Sequence, residues 1–248
     1  RALWLSVPDQ ELLSLAASGG LGNEALRHQI ERMLTDERSQ RMIRSFSDQW
    51  LNLRSLSKVT PSLKLYPLYD DLLNHYLPIE ARMYLSHLIR KNLPAGHLID
   101  SDFSFLNQRL ARHYGIEGVI GHRMRKVSFP PESPRGGLLT MGSVLKVTTD
   151  GFDTSPILRG AWISRNIVGT PLSPPPESIP ALEPEHGHAE TLREQIEQHK
   201  KNKTCHACHK SIDPYGFALE SFDAVGEWRE RYKIKQPHRG TFQYRPTG

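Results

Sequence analysis

Hydrophobic residues recur at helical spacing through the first half of the chain. Asn23 is a residue type that caps helices well, and the apolar residues that follow it fall on one face of a helix. They are Leu26, Ile30, Met33 and Leu34. The same pattern predicts helices over residues 11–18, 36–51, 68–91 and 102–113. We therefore expect the first half of the chain to be a helical module.

Prolines and glycines interrupt this pattern at defined places. Pro78 falls inside the longest segment, so we expect it to kink or split that helix. Gly115 is expected to end the last helix, because glycine readily adopts the left-handed conformation there. Prolines and glycines then cluster over residues 130–137. We therefore place a helical module at residues 1–128 and a second, smaller module at residues 129–248.

The second module has a different pattern. Residues 138–149 are rich in Val, Leu and Thr, which predicts an irregular pair of strands. Prolines dominate residues 171–176 and favour an extended polyproline strap. Helices are predicted over residues 155–166 and 191–203, and a turn over residues 213–217. The expected fold class is mainly α, with minor β structure and a proline-rich strap.

Composition and charge argue against several classes of protein. The 248 residues carry a net charge of +5, and the Lys and Arg residues are spread along the chain. A nucleic-acid-binding protein would more often concentrate them in a stripe, so we expect no nucleic-acid partner. The apolar runs are too short to cross a bilayer, so we expect no membrane span. Because the chain opens on Arg1, we expect it to be a mature or excised piece.

The cysteines form a motif with a specific chemistry. They are Cys205 and Cys208, and His209 follows directly. This C-x-x-C-H pattern is the attachment motif of c-type haem. One short turn presents both sulfurs to the vinyl groups at one edge of the macrocycle, and the next side chain then reaches the iron. The motif predicts one covalently bound haem c, with His209 as an axial iron ligand.

Two other interpretations of the motif remain open. Zinc could be bound by both cysteines together with two histidines. The available histidines are His186, His188, His199 and His209. Their spacing is irregular, and zinc does not require a histidine directly after the second cysteine, so the pattern favours haem. A redox dithiol is the third interpretation, but no βαβ pattern precedes the motif.

The ligand opposite His209 decides between electron transfer and catalysis. A thioether or a second imidazole closes the iron site, whereas an open position permits oxygen or peroxide chemistry. Met141 is the first candidate, because its Gly-rich segment could approach a ring closely. His113 is the second. The structural alternatives are core packing for Met141 and a bond at a helix C-terminus for His113.

Charged residues near the motif have two interpretations each. Four lysines surround it in sequence: Lys200, Lys201, Lys203 and Lys210. They could steer an acidic redox partner towards the exposed haem edge, or form an ordinary solvated helix end. Arg159 could pair with a haem propionate, or be an ordinary surface arginine.

Short stretches over nearly the whole chain carry a resemblance to a known family. In the second half they are residues 135–140, 154–160, 171–176, 192–195, 205–209, 212–220 and 222–229. In the first half they are residues 48–51, 105–107 and 110–115. In these stretches the chain resembles the modular haem-c proteins of planctomycete-type bacteria, which are built from tandem domains of unknown function.

The resemblance implies a secreted or periplasmic haem protein whose second module is cytochrome c-like. It also implies further domains or subunits of a larger assembly. It supplies no reaction, so whether the chain is an enzyme stays open. The expected function is electron transfer through one covalent haem c, with a redox protein as partner. The alternatives are a peroxidase-like haem oxidoreductase with an open iron position and a zinc-stabilised structural module.

Overall fold

A computed structural model describes residues 2–172, 192–201, 203–235 and 242–247. Its α-helices are α1 (Gln10–Ala17), α2 (Asn23–Thr35), α3 (Ser39–Trp50), α4 (Asp71–Arg90), α5 (Gln108–Tyr114), α6 (Gly142–Val147), α7 (Pro156–Ile163), α8 (Leu192–His199) and α9 (Lys203–Phe217). Its strands are β1 (Phe103–Leu106), β2 (Arg125–Ser128), β3 (Arg231–Lys235) and β4 (Phe242–Pro246). The mainly α fold with minor β structure is confirmed.

The strands form two small antiparallel sheets, β1 with β2 and β3 with β4. Most of the proline-rich strap, from Ser173 onward, lies outside the described residues. Within the described ranges, no helix combines the length and apolar character that a membrane span needs.

Helix α4 is the centre of the fold. Near its start, Leu73 and Leu77 pack in a buried cluster with residues of β1 and α5. Further along, Tyr84 belongs to a larger cluster that also contains Met141 and Trp162 from the second half of the chain. The two halves therefore share one hydrophobic core.

Pro78 was expected to kink or split its helix, and α4 runs without a break from Asp71 to Arg90, so the helix is not split. A proline inside a helix removes one backbone hydrogen bond and costs about 3 kcal/mol. Leu77 and Ala81, on either side of it, are completely buried. Burial of apolar side chains along both halves of α4 offsets the missing hydrogen bond.

Two predictions of secondary structure are wrong: one predicted helix begins as a strand, and one predicted strand pair is helical. Residues 103–106 form β1 rather than the start of a helix, and α5 begins only after Asn107, whose side chain accepts from the Leu110 N–H at 3.0 Å. The predicted strand pair at 138–149 is instead a short 3-10 turn followed by α6. Residues 142–146 are all buried. A helix without a polar face shows no helical periodicity, so its sequence imitates a strand.

A buried carboxylate joins α4 to both halves of the chain. Glu80 accepts hydrogen bonds from Ser104 Oγ and Tyr114 Oη, each at 2.6 Å. Tyr114 Oη accepts in turn from the N–H of Gly142 at 2.8 Å. Burial raises the pKa of Glu80 to about 7. This carboxyl therefore carries its proton over a pH range in which an ordinary glutamate is ionised.

Replacing this carboxyl, Glu80→Gln, should remove a pH dependence of stability. Because the pKa of Glu80 rises from 4.5 to about 7 on folding, the stability that it contributes is complete below pH 4.5 and is lost as the pH rises to about 7. The loss amounts to about 3 kcal/mol. Urea denaturation should therefore show wild type losing stability relative to the variant over this range. Parallel pH profiles for the two proteins would contradict the assignment.

Candidate functional site

The cysteine motif lies in the first half of α9. Cys208 and His209 follow Cys205 by three and four residues, so each lies about one helical turn from Cys205. Cys208 is exposed and is a free thiol. His209 is only 6% exposed. The side chain of Cys205 lies outside the part of the chain that the structure describes.

A buried carboxylate holds the imidazole of His209. Its Nδ1 lies 2.8 Å from Asp213 Oδ1, one helical turn further along α9. Because a carboxylate only accepts hydrogen bonds, the donor of this bond is the Nδ1–H group of His209. Nε2 is then the basic nitrogen, and no hydrogen bond engages it among the described residues. This is the arrangement that histidine metal ligands adopt, with the second ring nitrogen fixed by a carboxylate.

A histidine and a lysine at the C-terminal end of α8 contact this pair. Lys200 Nζ lies 3.1 Å from Asp213 Oδ2 and 2.9 Å from Glu197 Oε1. The carboxylates of Glu197 and Asp213 raise the pKa of Lys200. The ring of His199 meets that of His209 edge to face, with 5.3 Å between the centroids.

Two glycines bring α9 into backbone contact with α7. A Cβ on Gly160 would lie 2.1 Å from the carbonyl oxygen of Ile212, and a Cβ on Gly216 would lie 2.0 Å from that of Pro156. Both distances are far below van der Waals contact, so only glycine fits at either position. The backbone of α7 thereby fixes the position of α9.

The turn predicted at residues 213–217 is wrong, because this segment continues α9 to Phe217. The residues that suggested a turn were Pro214 and Gly216. Gly216 is needed for the contact with α7 rather than for a turn. Pro214 is exposed, so its ring stays clear of the packed face of the helix.

Arg159 fills neither of its expected roles, because it is buried and binds backbone. It is only 1% exposed. Its Nη1 donates to the carbonyl oxygens of Leu219 and Phe222 at 2.7 and 2.6 Å, and its Nη2 donates to that of Asp223 at 2.7 Å. Burial lowers the pKa of Arg159 to about 9. This arginine from α7 therefore fixes the turn that follows α9.

The structure places the two candidate distal ligands inside the protein. Met141 is 2% exposed and belongs to the larger core cluster. His113 is buried with both ring nitrogens engaged, Nε2 at 2.8 Å from the carbonyl oxygen of Val225 and Nδ1 at 3.1 Å from Glu227 Oε1. To bind iron, His113 would have to give up one of these contacts. The assignment of the distal ligand stays a prediction for both residues.

The remaining predicted site residues are placed as follows. Lys201 and Lys210 are exposed. Lys200 contacts Asp213, so it is not part of a fully solvated helix end. The side chain of Lys203, together with His186 and His188, lies outside the described residues. Among the described residues, no group of three or more His, Cys, Asp or Glu is arranged to hold a metal ion.

Asp213 and the two contact glycines were not predicted as functional positions, and Lys200 was predicted only as one of the charges around the motif. The spacing of four residues from His209 to Asp213 was a usable signal, because it puts both on one helix face. The expected turn at 213–217 concealed it.

Each half of the chain matches the model of a known protein family. Residues 2–116 match the family PSD4, described as a protein of unknown function (DUF1592). Residues 135–232 match PSCyt3, described as a protein of unknown function (DUF1588). No curated protein and no solved structure matches the chain. The two matches lie in tandem along the chain, and the matched families are domain families of the planctomycete-type cytochrome c proteins.

The close contact between α7 and α9 can be tested with Gly216→Ala. The added methyl group would collide with the backbone of Pro156, which cannot move as a side chain can. We expect a loss of at least about 2 kcal/mol in unfolding free energy. The control is Gly96→Ala, because a Cβ on Gly96 would meet nothing within 4 Å. Equal melting temperatures for the two variants would show that the helices tolerate a side chain at their contact.

Proposed function

We propose that this chain is a c-type cytochrome domain protein that transfers electrons through one covalently bound haem. Cys205 and Cys208 would attach the haem, and His209 would be an axial ligand of its iron. The observation that carries the proposal is the state of His209 on α9, with Nδ1 fixed by Asp213 and Nε2 available. The motif also lies inside the DUF1588 domain.

Two cysteine thiols and one imidazole are the chemical groups that the attachment of haem c uses. Attachment adds each thiol across one vinyl double bond, so the sulfur bonds to one vinyl carbon and the proton goes to the other. On α9, Cys208 and His209 follow Cys205 by three and four residues, so both lie one helical turn from it. When bound, haem supplies an iron that gains and loses one electron. Cys205 and Cys208 would hold it, and the imidazole of His209 would bind its iron.

We also propose a periplasmic or extracellular location. Two cysteines three residues apart would be prone to oxidation outside the cytoplasm unless something consumed their thiols. Cys208 is exposed, so it is open both to haem attachment and to oxidation. Thioether bonds use up both sulfurs permanently, which suits a protein that works in an oxidising compartment.

An acidic protein is the partner that the exposed charges favour. Lys201 and Lys210 lie near either end of the motif and are both exposed. Such cations attract a negatively charged partner and accelerate its encounter. Because these charges are exposed, added salt should weaken the attraction.

A peroxidase-like haem oxidoreductase is the second candidate function. Two observations favour it: Met141 packs in the core cluster, and both ring nitrogens of His113 are engaged. With neither side chain on the iron, the position opposite His209 would accept external ligands, as peroxide chemistry needs.

Attachment is tested by the single variants Cys205→Ser and Cys208→Ser and by the double variant. Wild type, exported and produced with haem-maturation factors, should keep its absorption bands after acid–acetone extraction. Each single variant should retain less haem and shift the reduced α-band in pyridine, because one vinyl group remains unsaturated.

The double variant should lose covalent haem altogether. His206→Ala is the matched control, because His206 lies between the two cysteines and is exposed. Covalent haem in the double variant would refute the proposal. A wild type that lacks haem and binds one zinc ion would support the zinc interpretation instead.

The position opposite His209 is tested with Met141→Ala. In the second candidate function, wild-type ferric protein binds cyanide readily and shows no near-infrared band from sulfur-to-iron charge transfer. Met141→Ala should then lower stability by about 2–5 kcal/mol, as loss of a buried side chain does, and leave cyanide affinity unchanged. A near-infrared band that disappears in Met141→Ala would instead place Met141 on the iron and favour the electron carrier.

A further inference from the structure

We infer that Asp213 and Lys200 are positioning residues that set the ferric–ferrous balance of the iron bound to His209. Asp213 favours the ferric state, and Lys200 opposes it. The inference rests on the proposed function, since it takes His209 to be an axial ligand. Neither residue touches the iron in this scheme. Both act through the imidazole.

The hydrogen bond between His209 and Asp213 is shielded from solvent. Both side chains are more than nine-tenths buried, and their atoms lie 2.8 Å apart. They sit one turn apart on α9, so the helix itself sets their separation. The crossing with α7 holds this stretch on both sides of Asp213, at Ile212 and Gly216. Water therefore competes little for this hydrogen bond.

An ionised acceptor changes the electronic character of an axial imidazole. Asp213 draws the Nδ1 proton towards itself, which leaves more electron density on Nε2 and makes it a more basic ligand. A more basic ligand stabilises the higher charge of ferric iron. Hydrogen bonds beyond the ligand are one of the means by which a protein tunes a haem potential. Burial strengthens the effect, because the surrounding medium screens the carboxylate weakly.

Lys200 weakens this effect from the other side of the carboxylate. Its Nζ lies 3.1 Å from Asp213 Oδ2, while Oδ1 receives the imidazole proton. A cation at one oxygen reduces the negative charge available to the other. Lys200 also contacts the more exposed Glu197 at 2.9 Å, so it divides its charge between two carboxylates. The imidazole therefore faces a partly neutralised acceptor.

Spectroelectrochemical titration of the haem-loaded protein tests the inference. Asp213→Asn keeps the shape of the side chain and removes its charge. At a fixed electrode potential, it should raise the ferrous-to-ferric ratio at least tenfold, about 59 mV for a one-electron couple. Lys200→Gln should lower the same ratio, because Asp213 then becomes a stronger acceptor.

Lys210→Gln is the matched control for charge. It removes one cation from the residue next to His209, and its exposed side chain is screened by solvent. It should shift the ratio clearly less than Lys200→Gln does. Equal shifts in the two lysine variants would reduce the role of Lys200 to general surface charge and overturn that part of the inference.

Proton NMR spectroscopy tests the hydrogen bond between His209 and Asp213 directly. In the diamagnetic ferrous protein saturated with carbon monoxide, the Nδ1 proton of His209 should resonate far downfield and move upfield in Asp213→Asn. An unchanged proton resonance together with a less than twofold change in the ratio would overturn the inference and leave the proposed haem attachment intact. Absence of covalent haem from wild type would overturn both.

Discussion

The contact between the backbones of α7 and α9 is the constraint on which the candidate site depends. At Gly160 and at Gly216, a carbonyl oxygen of the opposite helix occupies the space that a side chain would fill. Helix α9 can therefore neither shift nor rotate much against α7. The C-x-x-C-H motif lies on the same helix, so its position relative to the core is set by this crossing. Asp213, which accepts the hydrogen bond of His209, lies between the contact points at Ile212 and Gly216, so the crossing also sets where this pair lies relative to the core.

The turn that follows α9 extends this constraint to the first half of the chain. The carbonyl oxygen of Val225 lies 2.8 Å from Nε2 of His113 in α5, and Glu227 Oε1 lies 3.1 Å from its Nδ1. Gly226 has a φ of +86°, and a Cβ there would lie 2.7 Å from the Cα of Gly142. Glycine is therefore required at position 226 both for its conformation and for its space. The candidate site and the helical half are connected by polar contacts as well as by the shared core.

The sequence predicted best where the determining interactions are local. Gly115, which was predicted to end its helix, ends α5 with a φ of 70° and acts within a few residues of its own position. The C-x-x-C-H motif is also local, and the haem that it predicts stays a prediction. Predictions failed where distant residues decide the structure. Residues 103–106 become a strand because they pair with residues 125–128. Asp213 could be recognised as the partner of His209 only if the helix was known to continue as far as residue 213, where a turn had been predicted.

The shared core also restricts how these two domains can be inherited. Leu138, Met141 and Trp162 are covered by residues of the helical half, such as Tyr84. A DUF1588 domain of this kind, transferred alone by recombination, would expose an apolar surface that its former neighbour had covered. It would have to acquire either polar substitutions at those positions or a new neighbour with a complementary face. Gene rearrangements that keep both domains in tandem avoid this cost, so selection on folding alone favours their joint inheritance.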